Sequence, residues 1–247
     1  MISEVWLLAF LFFGIAVVYA SVGFGGGSSY LALLALAGLQ LEIIRPTALL
    51  CNVIVVAGSV YIFSRSGALP WRRTPPFLVT SIPMAFVGGS WRITDADVFF
   101  TLLAVCLLLA AFLLWTQPHA RQTRTLTSPL MEGLIGGSIG LLSGLIGIGG
   151  GIFLSPILHL LRWGDARQIS ATASLFILAN SLSGLGGQLT AMPTLPWSYI
   201  LPLAGAVFLG GQMGARLGAQ KFNPFYIKRI TAVVIVAAAL RILVDHV

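Results

Sequence analysis

An all-α polytopic membrane protein, built as two inverted repeats, is the fold class that three features of the chain predict. Hydrophobic residues make up 57% of its 247 residues and charged ones only 9%, whereas a soluble domain carries about 25% charged residues. So few charges cannot cover a surface facing water. A glycine-rich pentapeptide occurs twice, as Gly23-Phe24-Gly25-Gly26-Gly27 and again 124 residues later as Gly147-Ile148-Gly149-Gly150-Gly151. Finally, matching loops in the two halves carry opposite charge biases.

Taken in order, the apolar runs define ten segments: 4–22, 28–39, 44–63, 75–91 and 98–115 in the first half, then 130–146, 152–161, 169–189, 197–215 and 225–243 in the second. That division implies a first transmembrane repeat of residues 1–116, a cytoplasmic linker of 117–129 and a second repeat of 130–247. The first run lacks a basic stretch before it and a small-residue cleavage site after it, so it reads as a retained helix. Crossing a hydrocarbon core of about 30 Å takes about 20 residues. The runs that follow the glycine turns have ten to twelve, which at 1.5 Å per residue reach roughly 15 to 18 Å. Each is therefore expected to belong to a broken or re-entrant helix whose turn lies near mid-membrane, for a total of eight to ten membrane segments. Backbone that leaves the helix at that depth must be covered by protein or line a wet cavity.

An odd number of crossings per half forces tandem copies to insert in opposite orientations, and the loops agree. Arg65, Arg72 and Arg73 follow the third segment of the first half, while the matching loop 190–196 has no charge. After the fourth segment the bias reverses: Arg92 stands beside Asp95 and Asp97 in one half, against Arg216, Lys221, Lys228 and Arg229 in the other. A cytoplasmic 65–73 loop also puts Arg121, Arg124, Arg162 and Arg167 inside, leaving eleven basic residues inside and three, Arg45, Arg92 and Arg241, outside. This positive-inside bias places both termini outside the cytoplasm. It also accounts for the net charge of +7 without a nucleic-acid partner.

The repeat extends beyond the glycines. Pro46-Thr47-Ala48 matches Ala171-Thr172-Ala173, Leu69-Pro70-Trp71 matches Leu195-Pro196-Trp197, and Gly88-Gly89 matches Gly210-Gly211. Inverted halves with interrupted helices at matching positions are the plan of many secondary transporters. A helix is expected to start directly after each glycine turn, at Ser28 and at Ile152. The first N–H groups of such a helix lack internal partners, and its dipole adds about half a positive charge. Two such ends facing each other would hold an anion without any basic side chain. No Arg or Lys sits in the middle of a segment, and the seven acids, Glu4, Glu42, Asp95, Asp97, Glu132, Asp165 and Asp245, lie at or near segment ends. A cation site would call for the opposite.

The expected substrate-binding residues are Gly23, Gly25, Gly26, Gly27 and Ser28 from the first turn and Gly147, Gly149, Gly150, Gly151 and Ile152 from the second. Thr47, Asn52, Thr172 and Ser174 join them from the third segment of each half. Ser21, Ser29, Ser143 and Asn180 lie close by in sequence, although small polar groups of this kind also bond helices to one another. Gly88-Gly89 and Gly210-Gly211 are read as close-packing positions. Cys51 and Cys106 lie inside apolar runs and are read as packing thiols, without a disulfide or metal. No catalytic residue, metal or cofactor is implied. The expected partners are a small anionic substrate and the lipid bilayer, and the sequence carries no signature of an oligomeric state.

At this point the chain resembles a known family. The doubled glycine motif, the Gly149-Gly150-Gly151-Ile152-Phe153-Leu154-Ser155-Pro156 stretch, the Ala171-Thr172-Ala173-Ser174 stretch and the length are similar to the sulfite exporter TauE/SafE family of membrane permeases. The resemblance covers essentially the whole chain. It implies transport of small sulfur-containing or carboxylate anions, such as sulfite, thiosulfate, sulfonates and sulfoacetate, across the bacterial inner membrane. Pro156 is matched by Ala32 in the first half, which shifts the weight of the site towards the second.

Three other readings fare worse. Ser143-Gly144 and Ser183-Gly184 superficially resemble serine nucleophiles of intramembrane hydrolases, but neither has the full glycine-any-serine-glycine pattern. A nucleophile also needs a base within reach, and His119 is in a loop, His246 is terminal and His159 is read as a packed or interfacial residue able to relay a proton. The glycines echo a dinucleotide fingerprint, yet no strand precedes them and the sixth position is Ser28 or Ile152. An uptake permease for carboxylates or other anions, or a channel, is the remaining alternative. The membrane potential, about 2.3 kcal/mol per charge per 100 mV, drives anions out of a negative interior. Without a mid-membrane carboxylate to carry a coupled proton, export is the favoured direction.

Overall fold

A computed structural model describes residues 2–21, 23–91, 93, 95–116, 128–190, 195–218 and 224–246. Ten helices run through them: α1 (Ile2–Ala20), α2 (Gly27–Leu36), α3 (Leu41–Arg65), α4 (Pro75–Ser90), α5 (Ala96–Trp115), α6 (Pro129–Ile146), α7 (Gly151–Leu160), α8 (Ala166–Leu189), α9 (Trp197–Gly218) and α10 (Pro224–His246). Each coincides with one apolar run of the sequence to within three residues at either end. Most of the 117–129 linker, with His119, Arg121 and Arg124, lies outside the described residues, as do Arg92 and Lys221 and the side chains of Glu4, Lys228, Asp245 and His246.

Local chemistry sets the helix ends. Asp165 and Gln168 form a capping box at the start of α8, Asp95 accepts from the N–H groups of Asp97 and Val98 at α5, and Ser128 accepts from Met131 just before Pro129 opens α6. By length and apolar composition α3, α5, α6, α8 and α9 can each cross a bilayer. The protein is thus all-helical among the described residues and spans the membrane several times.

The helices pair in a scheme that survives exchange of the two halves. α4 packs along α6 and α8, α1 along α9, α3 along α8 and α9, and α5 along α10. Adding five to a first-half helix number and subtracting five from a second-half one turns α4 with α6 into α9 with α1, and α4 with α8 into α9 with α3. The α3–α8 and α5–α10 pairs map onto themselves. α3 and α8 run antiparallel, since Phe63 near the end of α3 sits with Ala171 and Leu175 early in α8, while Leu49 lies 3.5 Å from a methyl built on Gly184.

Glycine lets two of these pairs approach to backbone contact. A methyl on Gly136, Gly140 or Gly144 of α6 would run into the carbonyls of Phe77, Ser81 and Ala85 of α4. Gly210 and Gly214 of α9 meet Phe13 and Val17 of α1 in the same way. Gly88 seats on Leu141, whose counterpart 124 residues earlier is Val17, so its equivalent is Gly214 and the Gly88-Gly89 match to Gly210-Gly211 is displaced by one helical turn. Small residues four apart fit equally well in either register, which is why the sequence match slipped.

α6 and α7 form a helical hairpin with its two free ends tied together. The Trp163 indole, just past α7, donates to Glu132 Oε1 in the first turn of α6 at 2.7 Å, and both residues are buried. Phe77 stands edge-on to that indole, and the Arg73 guanidinium lies 4.3 Å above it. α1 and α2 form the corresponding hairpin, held by Phe12 stacked on Tyr30 at 4.5 Å and by a 2.7 Å hydrogen bond between the hydroxyls of Tyr19 and Ser29.

Candidate functional site

Each hairpin turns at its glycines. Gly26 (φ 86°) precedes α2 and Gly150 (φ 81°) precedes α7, both in the left-handed region that glycine enters without strain. α2 and α7 consequently begin at Gly27 and Gly151, one residue earlier than the sequence suggests. Among the described residues no acceptor meets the N–H groups of Gly27, Ser28, Gly151 or Ile152. Four backbone donors with helix dipoles behind them are thus left for something else.

The two turns meet at the midpoints of the long helices. Asn52 is the twelfth of 25 residues in α3, and Ile177 the twelfth of 24 in α8. A methyl on Gly25 would overlap Asn52 Oδ1 and lie 3.2 Å from Ile177; one on Gly149 would lie 2.7 Å from Asn52 and 3.0 Å from Ile177. Gly27 backs onto Asn52 and the Ile148 carbonyl, and Gly151 onto Ile177. The Asn52 amide donates to Ile148 O at 2.8 Å and so bridges the first turn's neighbour helix to the second turn.

Each turn also leans on the long helix of the other half. A methyl on Gly23 would lie 3.1 Å from Ser170 O, and one on Gly147 would lie 3.3 Å from Arg45 Cα and O. Ser170 and Arg45 are each the fifth residue of their helix. Ser174 fixes the first turn further by donating to Gly23 O at 2.7 Å.

The sequence profile described as sulfite exporter TauE/SafE matches residues 7–242. The chain belongs to the TauE/SafE family. A relative named probable membrane transporter protein y4hK, from Sinorhizobium fredii (strain NBRC 101917 / NGR234), is 34% identical over 245 residues, 96% of this chain and 97% of that protein. No solved structure matches. This TauE/SafE protein is accordingly a multi-pass membrane transporter of the bacterial inner membrane, not an enzyme.

Of the residues that the sequence nominates in this TauE/SafE member, the structure gathers Gly23, Gly25, Gly26, Gly27, Ser28, Asn52, Gly147, Gly149, Gly150, Gly151, Ile152 and Ser174 at or beside the junction. Thr47 and Thr172 are fully buried with hydroxyls that find no partner among the described residues, but neither is among the nearest atoms to any turn glycine. Five residues along a helix is about 140° of rotation from Asn52 or Ile177, so they face another way. Asn180 bonds back to Phe176 O, and Ser183 ties α8 to Ile82 O. Cys51 and Cys106 are free and buried.

Three residues escaped the sequence reading. Ile177 has no polar atom to attract notice, and Ser181, one turn later, has a buried hydroxyl without a partner 2.8 Å from a methyl on Gly149. Arg45, expected at the outer end of the third segment, is buried in the second turn of α3, because that helix begins three residues earlier, at Leu41. Its guanidinium reaches Gly144 O at 3.3 Å and Trp91 O at 3.4 Å, gathering carbonyls near the C-terminal ends of α6 and α4. The amide at the junction comes from the first half, Asn52, and its counterpart from the second is the apolar Ile177, while the second half adds the hydroxyls of Ser174 and Ser181. Residues 23–32 are all buried, as are residues 147–151.

Proposed function

We propose that this transporter exports small sulfur-containing anions such as sulfite, thiosulfate or sulfonates, binding them where the two glycine turns meet. The observation that carries the reading is the pair of helix starts, α2 and α7, at the midpoints of α3 and α8: among the described residues their first N–H groups have no acceptor, and no basic head group is among the nearest neighbours of their glycines. Oriented backbone donors of this kind suit a small oxyanion. The binding set is Gly23, Gly25, Gly26, Gly27, Ser28, Asn52, Gly147, Gly149, Gly150, Gly151, Ile152 and Ser174, with Thr47 and Thr172 in the surrounding layer.

The repeats 1–116 and 130–247 are inverted copies joined by a cytoplasmic 117–129 segment. Support comes from the exchangeable pairings, the antiparallel α3 and α8, and the positive-inside bias. In this arrangement α3, α4, α5, α8, α9 and α10 cross once each, and the hairpins α1–α2 and α6–α7 enter from opposite faces, making ten segments in all. Burial of both turns favours a carrier with alternating access over an open channel.

The test is counterflow of radiolabelled sulfite into proteoliposomes of the purified protein, with unlabelled sulfite, thiosulfate, sulfoacetate and acetate as competitors. Inhibition by sulfur oxyanions is the expected result. Inhibition by acetate alone would instead support a carboxylate permease, and no exchange from folded protein would overturn the anion reading.

A further inference from the structure

We propose that the site selects anions carrying a hydrogen-bond donor next to the charged end, a hydroxyl above all, and that Asn52 is the residue that reads it. The inference rests on the anion reading of the glycine turns and narrows it. Asn52 is 0% exposed, and its amide orientation is set by the 2.8 Å bond from Nδ2 to Ile148 O. Oδ1 is left as a buried acceptor with no donor among the described residues, facing the first turn where a methyl on Gly25 would overlap it.

A buried acceptor of this kind costs free energy until a donor meets it. The free N–H groups of Gly27, Ser28, Gly151 and Ile152 attract the oxygens of an anion, but Oδ1 repels those same oxygens. An anion with no hydrogen to give satisfies the turns and leaves Oδ1 facing lone pairs. One with a hydroxyl beside its charged group satisfies both. The equivalent position in the second half holds Ile177, with Cγ2 3.2 Å from a methyl on Gly25 and 3.0 Å from one on Gly149. Asn52 Oδ1 is therefore the acceptor presented at the first turn, with Ile177 carbon opposite it, while the Ser181 hydroxyl, able to donate as well as accept, lies against the second turn. A site built to bond a ligand hydroxyl discriminates strongly against the analogue that lacks it.

The experiment uses the sulfite counterflow assay with matched competitors. 2-Hydroxyethanesulfonate and 1-propanesulfonate differ by a hydroxyl against a methyl, and glycolate and propionate repeat the comparison on a carboxylate. In the wild type the hydroxylated member of each pair is expected to inhibit at a concentration at least about tenfold lower. Asn52→Leu, which removes the acceptor, is expected to bring the two members of each pair level. The ratio between members is the readout, because a merely structural role for the Ile148 bond would lower transport of both equally. Equal inhibition in the wild type, or a preference that persists in Asn52→Leu, overturns the inference while leaving the anion reading in place. Should Asn52→Leu fail to insert, the wild-type ratio decides alone. Failure of every anion to compete overturns both together.

Discussion

The two hairpins carry the same glycine turn on unlike supports. At the base of α6 and α7, a buried carboxylate and indole, Glu132 and Trp163, are capped by the half-buried guanidinium of Arg73. The residues 124 positions before Glu132 and Trp163 are Leu8 and Leu39, and they line an apolar groove of about 810 Å³ between α1, α2 and α9. The tips differ too, with Asn52 on one side and Ile177 on the other. What is copied between the halves is backbone: φ angles, helix starts and close approaches. What has diverged is the side-chain chemistry that holds and reads that backbone, because backbone donors work with any support that keeps them in place.

The strongest way to break the comparison is at the tips. Gly26→Leu and Gly150→Leu force a branched side chain into left-handed backbone against Tyr30 and Ile15 or against Ile139 and Phe176. Both variants are expected to lose transport while remaining in the membrane, measured as sulfite counterflow against protein recovered in detergent. Full activity in either one would show that the two turns are not equivalent.

A finer contrast compares alanine at the helix starts. At Gly27 the new methyl meets the Ile148 carbonyl and Asn52 Nδ2, whereas at Gly151 it overlaps only side-chain atoms, Cγ1 and Cδ1 of Ile177, with the nearest backbone atom, Ala173 O, at 3.5 Å. Gly27→Ala is expected to reduce transport about tenfold through loss of the Asn52–Ile148 bond. Gly151→Ala should have a clearly smaller effect, and the reverse order would sink the assignment of polar and apolar sides.

At the hairpin bases, Glu132→Leu leaves the Trp163 N–H buried without its acceptor, at a cost of about 1–3 kcal/mol. The melting temperature in detergent should fall by several degrees, while Leu8→Ile, on the apolar base, should leave it nearly unchanged. Ser174→Ala removes the bond to Gly23 O and is expected to cost about 1 kcal/mol of stability. Smallest of all, Gly14→Ala on the exposed face of α1, with nothing within 4 Å of the added methyl, should be neutral or stabilising by up to about 1 kcal/mol. A marked loss at Gly14 would place a partner on that face.

The sequence by itself determined the ten helices and the position of both turns. Those features are local: apolar runs of helical length, caps such as Asp165 and Ser128, and glycine clusters that no other backbone conformation requires. The candidate binding glycines were legible for the same reason. Tertiary structure alone decided which side chains meet them. Asn52 and Ile177 lie 125 residues apart and face the same pair of turns only because α3 and α8 pack antiparallel through the middle of the molecule. Arg45 looked like a charge at the outer end of a segment because its partners, Gly144 and Trp91, are carbonyls near the ends of two other helices, and backbone acceptors leave no mark in a sequence. Thr47 and Thr172 look like site residues by their symmetric placement, but the pitch of the helix turns them away, and only the rotational setting of α3 and α8 against the turns reveals it.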